Sequence, residues 1–238
     1  IKDEFMKTLA VAAIAGLGLS ACVSMNSGSM SQNAANQTVT QFPIEMALIN
    51  IYAKPSNETL YSAIEGIAVE VNFETIPKGT VMFNGQRVQN SEVVATTKIL
   101  SEIIDKSVGV NYYTLDPLVF RGFTSDDEYS IATQMASIPK MADVGSSSTY
   151  LTENVYSDSS NQEKINSYTQ AWSLKPASKN MAWMCIESSE NKLLDYDPDG
   201  ITEDCYKINA KGDILDSQIK NIYTTDEGVQ VLTFVRKQ

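Results

Sequence analysis

An acidic loop between residues 195 and 204 carries the side chains best suited to bind a metal. Carboxylates stand at alternate positions before Gly200, and two more acids follow it. Hard oxygen ligands at alternate positions, with a glycine at the sharp turn, form the first half of a calcium-binding loop. The sequence therefore predicts Ca²⁺ ligands at Asp195, Asp197, Asp199, the carbonyl of Ile201, Glu203 and Asp204.

The acidic loop departs from an EF-hand in its second half. With Asp195 as position one, Tyr206 stands at position twelve, where an EF-hand has a bidentate glutamate. No pair of helices is predicted around the loop. It is similar to the looser Asp-rich loops of extracellular proteins, in which calcium has a structural role and modest affinity. The alternative interpretation is a solvated turn composed of good turn-forming residues.

The composition argues against several common chemistries. The chain has no histidine, which removes the usual general base and the commonest ligand of zinc, copper and haem. A Ser-x-x-Lys sequence from Ser137 to Lys140 contains Pro139, which opposes the helical turn that a serine acyl-enzyme needs. The net charge of −11 argues against nucleic acid as a partner. We expect a non-enzymatic protein, with a hydrolase that uses carboxylates alone as an open alternative.

The N-terminal segment has the pattern of an exported protein. After Met6 comes a charged start, then an apolar run, then Leu19-Ser20-Ala21-Cys22. This is the arrangement of a secretory signal peptide. The apolar run is too short for a hydrocarbon core of about 30 Å, which needs about 20 residues. We therefore take residues 1–21 as leader and signal peptide, with the five residues before Met6 treated as upstream sequence.

The Leu-Ser-Ala-Cys sequence resembles the cleavage box of bacterial lipoproteins. The resemblance implies cleavage before Cys22 and attachment of fatty acyl chains such as palmitate to that residue. It also implies export to the outer membrane, because residue 23 is valine rather than the aspartate that retains many Gram-negative lipoproteins. The expected location is the periplasmic face of the outer membrane, or the cell surface, with outer-membrane lipid as a partner. Residues 22–41 then form the anchor and an uncharged, flexible tether.

The two remaining cysteines bracket the acidic loop. Cys185 and Cys205 lie in or next to predicted strands, and an exported protein is expected to pair them in a disulfide. Closing a loop of about 20 residues should stabilise the fold by about 3 kcal/mol. Two free buried thiols, or a redox-active pair, are the alternatives.

Residues 42–122 have the pattern of alternating strands and helices. The strict alternation of apolar and polar residues from Val69 to Glu74 predicts a strand, and Asn84-Gly85 predicts a hairpin turn. Leu48 to Tyr52 is predicted as an opening strand. Two helices are predicted, over Glu58 to Ala68 and over Ser91 to Lys106.

This succession resembles the short N-terminal domain of secretins and TonB-dependent receptors. Ser91 to Lys106, Gly109 and Tyr112-Tyr113 stand where that family has its second helix, a glycine and an aromatic strand. The resemblance implies a small domain of two helices packed on sheets, which docks on other subunits of pilus or secretion machines.

Residues 123–238 are predicted to form a mainly antiparallel β region. A helix is expected from Ser125 to Ile138, and residues 219–224 and 229–235 are expected to pair as a hairpin. Trp172 and Trp183 are expected to anchor this region's core, with a glycan-stacking platform as the alternative.

The sequence as a whole thus predicts an α+β protein. It consists of a small two-helix α/β sandwich-like domain over 42–122 and a β-rich region over 123–238 with one disulfide. The predicted function is an interaction or assembly subunit of an envelope machine, with another envelope protein as its partner. The alternative is a calcium- or glycan-binding lipoprotein module.

Overall fold

Strands make up most of the chain in the computed structural model, which describes residues 39–64, 66–126, 128–189, 201–225 and 228–237. Within these ranges the chain has one helix. The elements in chain order are β1 (Gln41–Phe42), α1 (Ile44–Tyr52), β2 (Ser56–Ile64), β3 (Ile67–Phe83), β4 (Gln86–Ile99), β5 (Glu102–Thr114), β6 (Val119–Thr124), β7 (Tyr129–Gln134), β8 (Ala142–Asp143), β9 (Ser147–Tyr156), β10 (Lys164–Ser178), β11 (Met181–Ser189), β12 (Ile201–Asn209), β13 (Ile214–Thr225) and β14 (Gly228–Arg236).

Twelve of these strands close into a barrel. Around the ring, β2 to β7 follow one another, then β9 to β14, and β14 pairs with β2 to complete the circle. All of these pairs are antiparallel. Apart from the pairs β7 with β9 and β14 with β2, each strand pairs with the strands next to it in the chain. The short strands β1 and β8 pair separately.

The barrel overturns the predicted fold class. The α+β prediction, with a two-helix sandwich-like domain over 42–122, is wrong, because strands from both 42–122 and 123–238 form one closed wall. Residues 58–64 lie in β2, most of 91–106 lies in β4 and β5, and the helix expected from Ser125 is replaced by the strand β7. The elements that suggested the secretin-type domain are therefore strands.

The spacing of apolar residues explains one of these errors. Leu60 and Ile64 are four positions apart, a separation that puts two side chains on one face of a helix and also on one face of a strand. Within β2, Leu60 is fully buried and Ile64 packs against the same cluster. Because β2 pairs along its whole length with the first half of β3, this segment is a strand and not a helix.

The helix α1 lies where the sequence predicts a strand. Ile44, Ala47, Leu48 and Tyr52 are all buried, at the spacing of one helical face. Glu45 lies in the first turn, where the negative charge of its carboxylate interacts favourably with the positive end of the helix dipole. A short apolar run does not distinguish a buried helix from a strand, so the strand prediction for 48–52 is wrong.

The width of the barrel accounts for the helix inside it. Barrels of about eight strands are filled by their own side chains, and the interior widens as strands are added. At one end of this twelve-stranded ring, α1 packs with Phe42 against the inward side chains of the wall. A smaller apolar cluster fills a separate part of the interior; it consists of Leu60, Val69, Val71, Ala95 and Phe234.

Several local predictions are confirmed. Val69 to Glu74 form part of β3, with Val69 and Val71 buried, and Asn84 and Gly85 turn the chain into β4. Cys185 and Cys205 stand opposite each other on β11 and β12 and form a disulfide.

The outer face of the wall carries charged side chains in cross-strand pairs. Lys98 on β4 contacts Glu70 on β3, with 2.7 Å between Nζ and Oε1. Lys207 on β12 contacts Asp216 on β13 at 2.8 Å.

No helix in the part of the chain that the structure describes has the length and apolar character to cross a bilayer.

The ring closes at a short seam. The register between β14 and β2 covers Val235 with Tyr61 and Arg236 with Leu60. A polar contact supports this seam, because Arg236 Nη2 donates to Glu58 Oε2 at 2.6 Å. Ser217 Oγ on β13 donates to the same oxygen at 2.5 Å. One partly buried carboxylate therefore joins three strands across the closure.

Replacing the seam arginine should weaken the fold. We expect Arg236→Met to lower the free energy of unfolding by about 1–3 kcal/mol, because it leaves the Glu58 carboxylate without its ion partner. Arg87→Met, at an exposed position of β4, is the matched control and should change stability by less than about 0.5 kcal/mol. Urea unfolding followed by circular dichroism gives both values. An equal effect of the two substitutions would show that the ion pair does not support closure.

Candidate ligand-binding cavity

A cavity of about 390 Å³ lies in the barrel interior between the two apolar clusters. Its volume falls in the range of small-molecule sites. The carboxyl-terminal end of α1 and inward side chains of the wall line it. The exposed residues of the lining mark its open side: Lys54, Pro55, Ser56, Asn57 and Asp213. The apolar part of the lining consists of Ile51, Val71, Phe73, Val93, Ala95, Phe123, Ile214, Ile219 and Phe234.

A glycine in β5 shapes one wall of the cavity. Gly109 lies in the middle of β5, whereas the resemblance to the secretin-type domain placed it after a helix. A Cβ at Gly109 would lie 2.3 Å from Cζ of Phe123, so the absence of a side chain makes room for the ring. Phe123 is buried, and both residues line the cavity.

Four buried polar atoms of the lining have no hydrogen-bond partner among the described residues. Three of them belong to side chains that are almost completely buried: Thr97 is 1% exposed, Asp204 7% and Ser107 9%. Buried polar groups are normally paired, because leaving one unpaired costs free energy. Ligand sites commonly combine an apolar wall with a few such groups. The atoms are Asn50 Oδ1, Thr97 Oγ1, Ser107 Oγ and Asp204 Oδ1.

The unpaired groups stand on opposing walls. Thr97 lies on β4 and Ser107 on β5, whereas Asp204 lies on β12, five and six strands away in a ring of twelve. Strands that far apart in a closed ring face each other across its interior. The cavity therefore presents hydroxyl groups on one side and a carboxyl group on the other.

Asp204 has an unusual protonation equilibrium. Burial, with a further contribution from the nearby negative charge of Glu58, raises its pKa to about 8. Glu58 itself is held by Arg236 and Ser217. Burial also raises the pKa of Tyr206, the next inward residue on β12, well above its usual value. Asp204 is thus the acid of the lining that is both deeply buried and unpaired at one oxygen.

A second acidic cluster lies outside the cavity lining. Glu153 on β9 is 3% exposed, and Ser130 Oγ donates to its Oε2 at 2.9 Å. Tyr168 donates its hydroxyl to Glu128 Oε1 at 3.0 Å. Burial raises the pKa of Glu128 to about 7. Burial and then the charge of Glu128 raise the pKa of Glu153 to about 8.

The structure describes three of the six predicted calcium ligands. Asp195, Asp197 and Asp199 lie outside the described residues, and Ile201 is the first residue of β12. Glu203 points to the outside of the wall, where it forms ion pairs with Lys175 and Lys220. The side chain of Asp204 points inward, since adjacent residues of a strand face opposite sides. The structure does not bring these two carboxylates together, and the calcium site stays a prediction.

Of the predicted cysteine sites, the structure describes two and leaves one outside its range. Cys22, the predicted lipidation site, lies outside the described residues. Cys185 and Cys205 lie near Glu203 in an arrangement of possible metal ligands. Their sulfurs are bonded to each other, however, and carry no thiolate for a metal. Trp172 is a core residue, as expected.

The cavity residues on β4 and β5 were missed because that segment was predicted as a helix. One available signal was the density of β-branched residues over Val93, Val94, Thr96 and Thr97, which favours a strand. Comparisons of the chain with family models, curated proteins and solved structures found no match.

The buried acids make stability depend on pH. Glu153 binds its proton more tightly in the folded state than in the unfolded chain, where its pKa is near 4.5. Between these two values the folded protein holds more protons, so its stability falls as pH rises. We expect the free energy of unfolding to be lower at pH 8 than at pH 5 by at least about 1.4 kcal/mol, which corresponds to one pKa unit.

Urea unfolding at intervals from pH 5 to pH 8 measures this slope. Glu153→Gln should flatten it, because the amide resembles the protonated acid and can still accept from Ser130. Glu163→Gln, at an exposed position, is the matched control and should leave the slope unchanged. A slope that is the same in all three proteins would refute this role of Glu153.

Proposed function

We propose that this protein is a lipid-anchored barrel of the cell envelope that binds a small amphipathic molecule in its interior. The observation that carries the proposal is the cavity of about 390 Å³, which combines an apolar wall with buried polar atoms that have no partner among the described side chains. This combination supports reversible binding, because the apolar wall supplies affinity and the polar groups supply orientation.

The cavity is held open by contacts that do not depend on a ligand. Asn50 Nδ2 donates to the carbonyl of Gly212 at 2.7 Å, which ties α1 to the turn between β12 and β13. Ser91 Oγ on β4 donates to the carbonyl of Tyr52 at the end of α1. A preformed site loses less conformational entropy on binding, so these contacts favour ligand affinity.

Three observations support the envelope location. The lipoprotein-like sequence ending at Cys22 would supply an anchor, and the uncharged residues between it and Val39, which packs against the barrel core, have the composition of a polar tether. The disulfide between Cys185 and Cys205 is typical of oxidising compartments outside the cytosol. The ion pairs on the outer wall are consistent with a barrel surrounded by water rather than hydrocarbon. Such a protein would hold or carry its ligand at the periplasmic face of the outer membrane.

Binding of an apolar fluorescent probe tests the proposal. The full chain with Cys22→Ala, which cannot be acylated, should bind N-phenyl-1-naphthylamine with increased fluorescence. Ala95→Trp places a large ring in the cavity, since Ala95 is buried in its lining. We expect this variant to weaken probe binding by about tenfold or more, or about 1.4 kcal/mol.

Val94→Trp is the control for this experiment. Val94 neighbours Ala95 on β4 but is absent from the cavity lining, so its replacement should leave probe affinity unchanged. Circular dichroism melting should confirm that both variants are folded, and Val93→Phe offers a smaller filling substitution. Equal affinities of the unfilled and filled cavities would place the probe elsewhere and refute the proposed site.

A protein-docking role is the second candidate, and the outer face of β14 favours it. Val229, Val231 and Val235 are 55%, 56% and 45% exposed on that face. The strand pairs with β2 only near its C-terminal end, at Val235 and Arg236. Strands with such an edge are templates for an added strand, so the partner would be an extended segment of another envelope protein.

A photo-crosslinking amino acid at Val231, incorporated in native-host cells, tests the docking role. We expect one discrete adduct whose crosslinked peptide has an extended, alternating sequence, and we expect Val229→Lys to abolish it. The same crosslinker at Lys106, an exposed position of β5, should give no such adduct. A smear common to both positions, or no adduct, would argue against docking on β14.

A further inference from the structure

We propose that the cavity selects a ligand with a primary amine on an apolar body, and that the ammonium group binds Asp204. This inference rests on the proposed function, because it names the chemical class of the molecule bound in the same cavity. It goes further in assigning the polar end of the ligand a positive charge and a specific protein partner.

Asp204 presents an unpaired carboxyl oxygen in the lining of the cavity. The residue is 7% exposed and lines the cavity, and its Oδ1 has no hydrogen-bond partner in the described part of the chain. Nearly complete burial makes an unpaired carboxyl oxygen costly, and a charged donor is the strongest partner for it. An ammonium group offers three donors and the opposite charge.

The charged groups around the cavity favour a cationic ligand over an anionic one. The guanidinium of Arg236 is already bonded to Glu58 at 2.6 Å and to the carbonyl of Leu215 at 3.4 Å. The other cation of the lining, Lys54, is exposed on the open side. No further lysine or arginine appears in the lining. An anionic ligand would therefore meet a cation that is already paired, whereas a cationic ligand meets an unpaired acid.

The helix α1 adds to this negative character. Asn50, Ile51 and Tyr52, the last three residues of α1, all line the cavity. The carboxyl-terminal end of a helix carries a partial negative charge of about half an electron, which favours a nearby cation.

The apolar part of the lining fits the rest of such a ligand. The rings of Phe73, Phe123 and Phe234 contribute to the wall. Aromatic faces attract cations and also cover aliphatic chains. On the wall opposite Asp204, the hydroxyl groups of Thr97 and Ser107 can bond a second polar group of the ligand.

Isothermal calorimetry with octylamine, octanol and octanoate tests the assignment, on the full chain with Cys22→Ala. The three probes have chains of equal length and differ in charge. At pH 8.5 we expect octylamine to bind about tenfold more tightly than octanol, with octanoate the weakest. The ratio of octanol to octylamine dissociation constants should fall toward one in Asp204→Asn at pH 8.5. Asp143→Asn, at an exposed position, should keep the ratio of the parent protein.

The outcomes separate this inference from the proposed function. Octylamine and octanol binding equally at pH 8.5, or octanoate binding most tightly, would overturn the amine assignment and leave the cavity a binding site. A preference for octylamine that persists in Asp204→Asn would also overturn it. If none of the three probes and no N-phenyl-1-naphthylamine bound, the proposed function would fall as well. Circular dichroism melting of Asp204→Asn excludes loss of fold as the cause of a changed ratio.

Discussion

The closure of twelve strands into one ring is the constraint on which the rest of the structure depends. Closure happens at the seam between β14 and β2, where two residue pairs and the contacts of Glu58 with Arg236 and Ser217 join the ends of the sheet. A ring of this size encloses more space than its inward side chains fill. The interior must then hold something else, and α1 supplies it at one end. The space that α1 leaves is the cavity.

The same interior accommodates groups that weaken the fold. Burial raises the pKa values of Glu128, Glu153 and Asp204 into the range from about 7 to about 8. Each of these acids ionises less readily in the folded state than in the unfolded chain, so each lowers stability as pH rises toward neutrality. Strained or costly groups of this kind are commonly kept where a protein binds its ligand. Asp204 fits that pattern, because it lines the cavity and has an unpaired oxygen. The disulfide between Cys185 and Cys205 stabilises the fold instead, because it joins β11 to β12 at the residue that follows Asp204.

The sequence was informative where a pattern had only one structural solution. The alternation from Val69 to Glu74 has period two, and Asn84-Gly85 suits a tight turn, and both lie where they were expected. It was misleading where a pattern had two solutions. Leu60 and Ile64 share a face in a helix and in a strand, and the apolar run from Leu48 to Tyr52 suits any element buried on all sides. Pairing with β3 made the first segment a strand, and enclosure within the barrel made the second a helix.

The sequence by itself determined the features that are local or chemical. They are the pairing of Cys185 with Cys205, the hairpin turn at Asn84-Gly85 and the acidic character of the chain. Only the tertiary structure decided that β14 returns to β2, that α1 lies inside the ring, and that Asp204 faces Thr97 and Ser107 across a cavity. The physical reason is distance along the chain. Asp204 and Thr97 are 107 positions apart, and no local propensity records which strands will face each other once a sheet has closed.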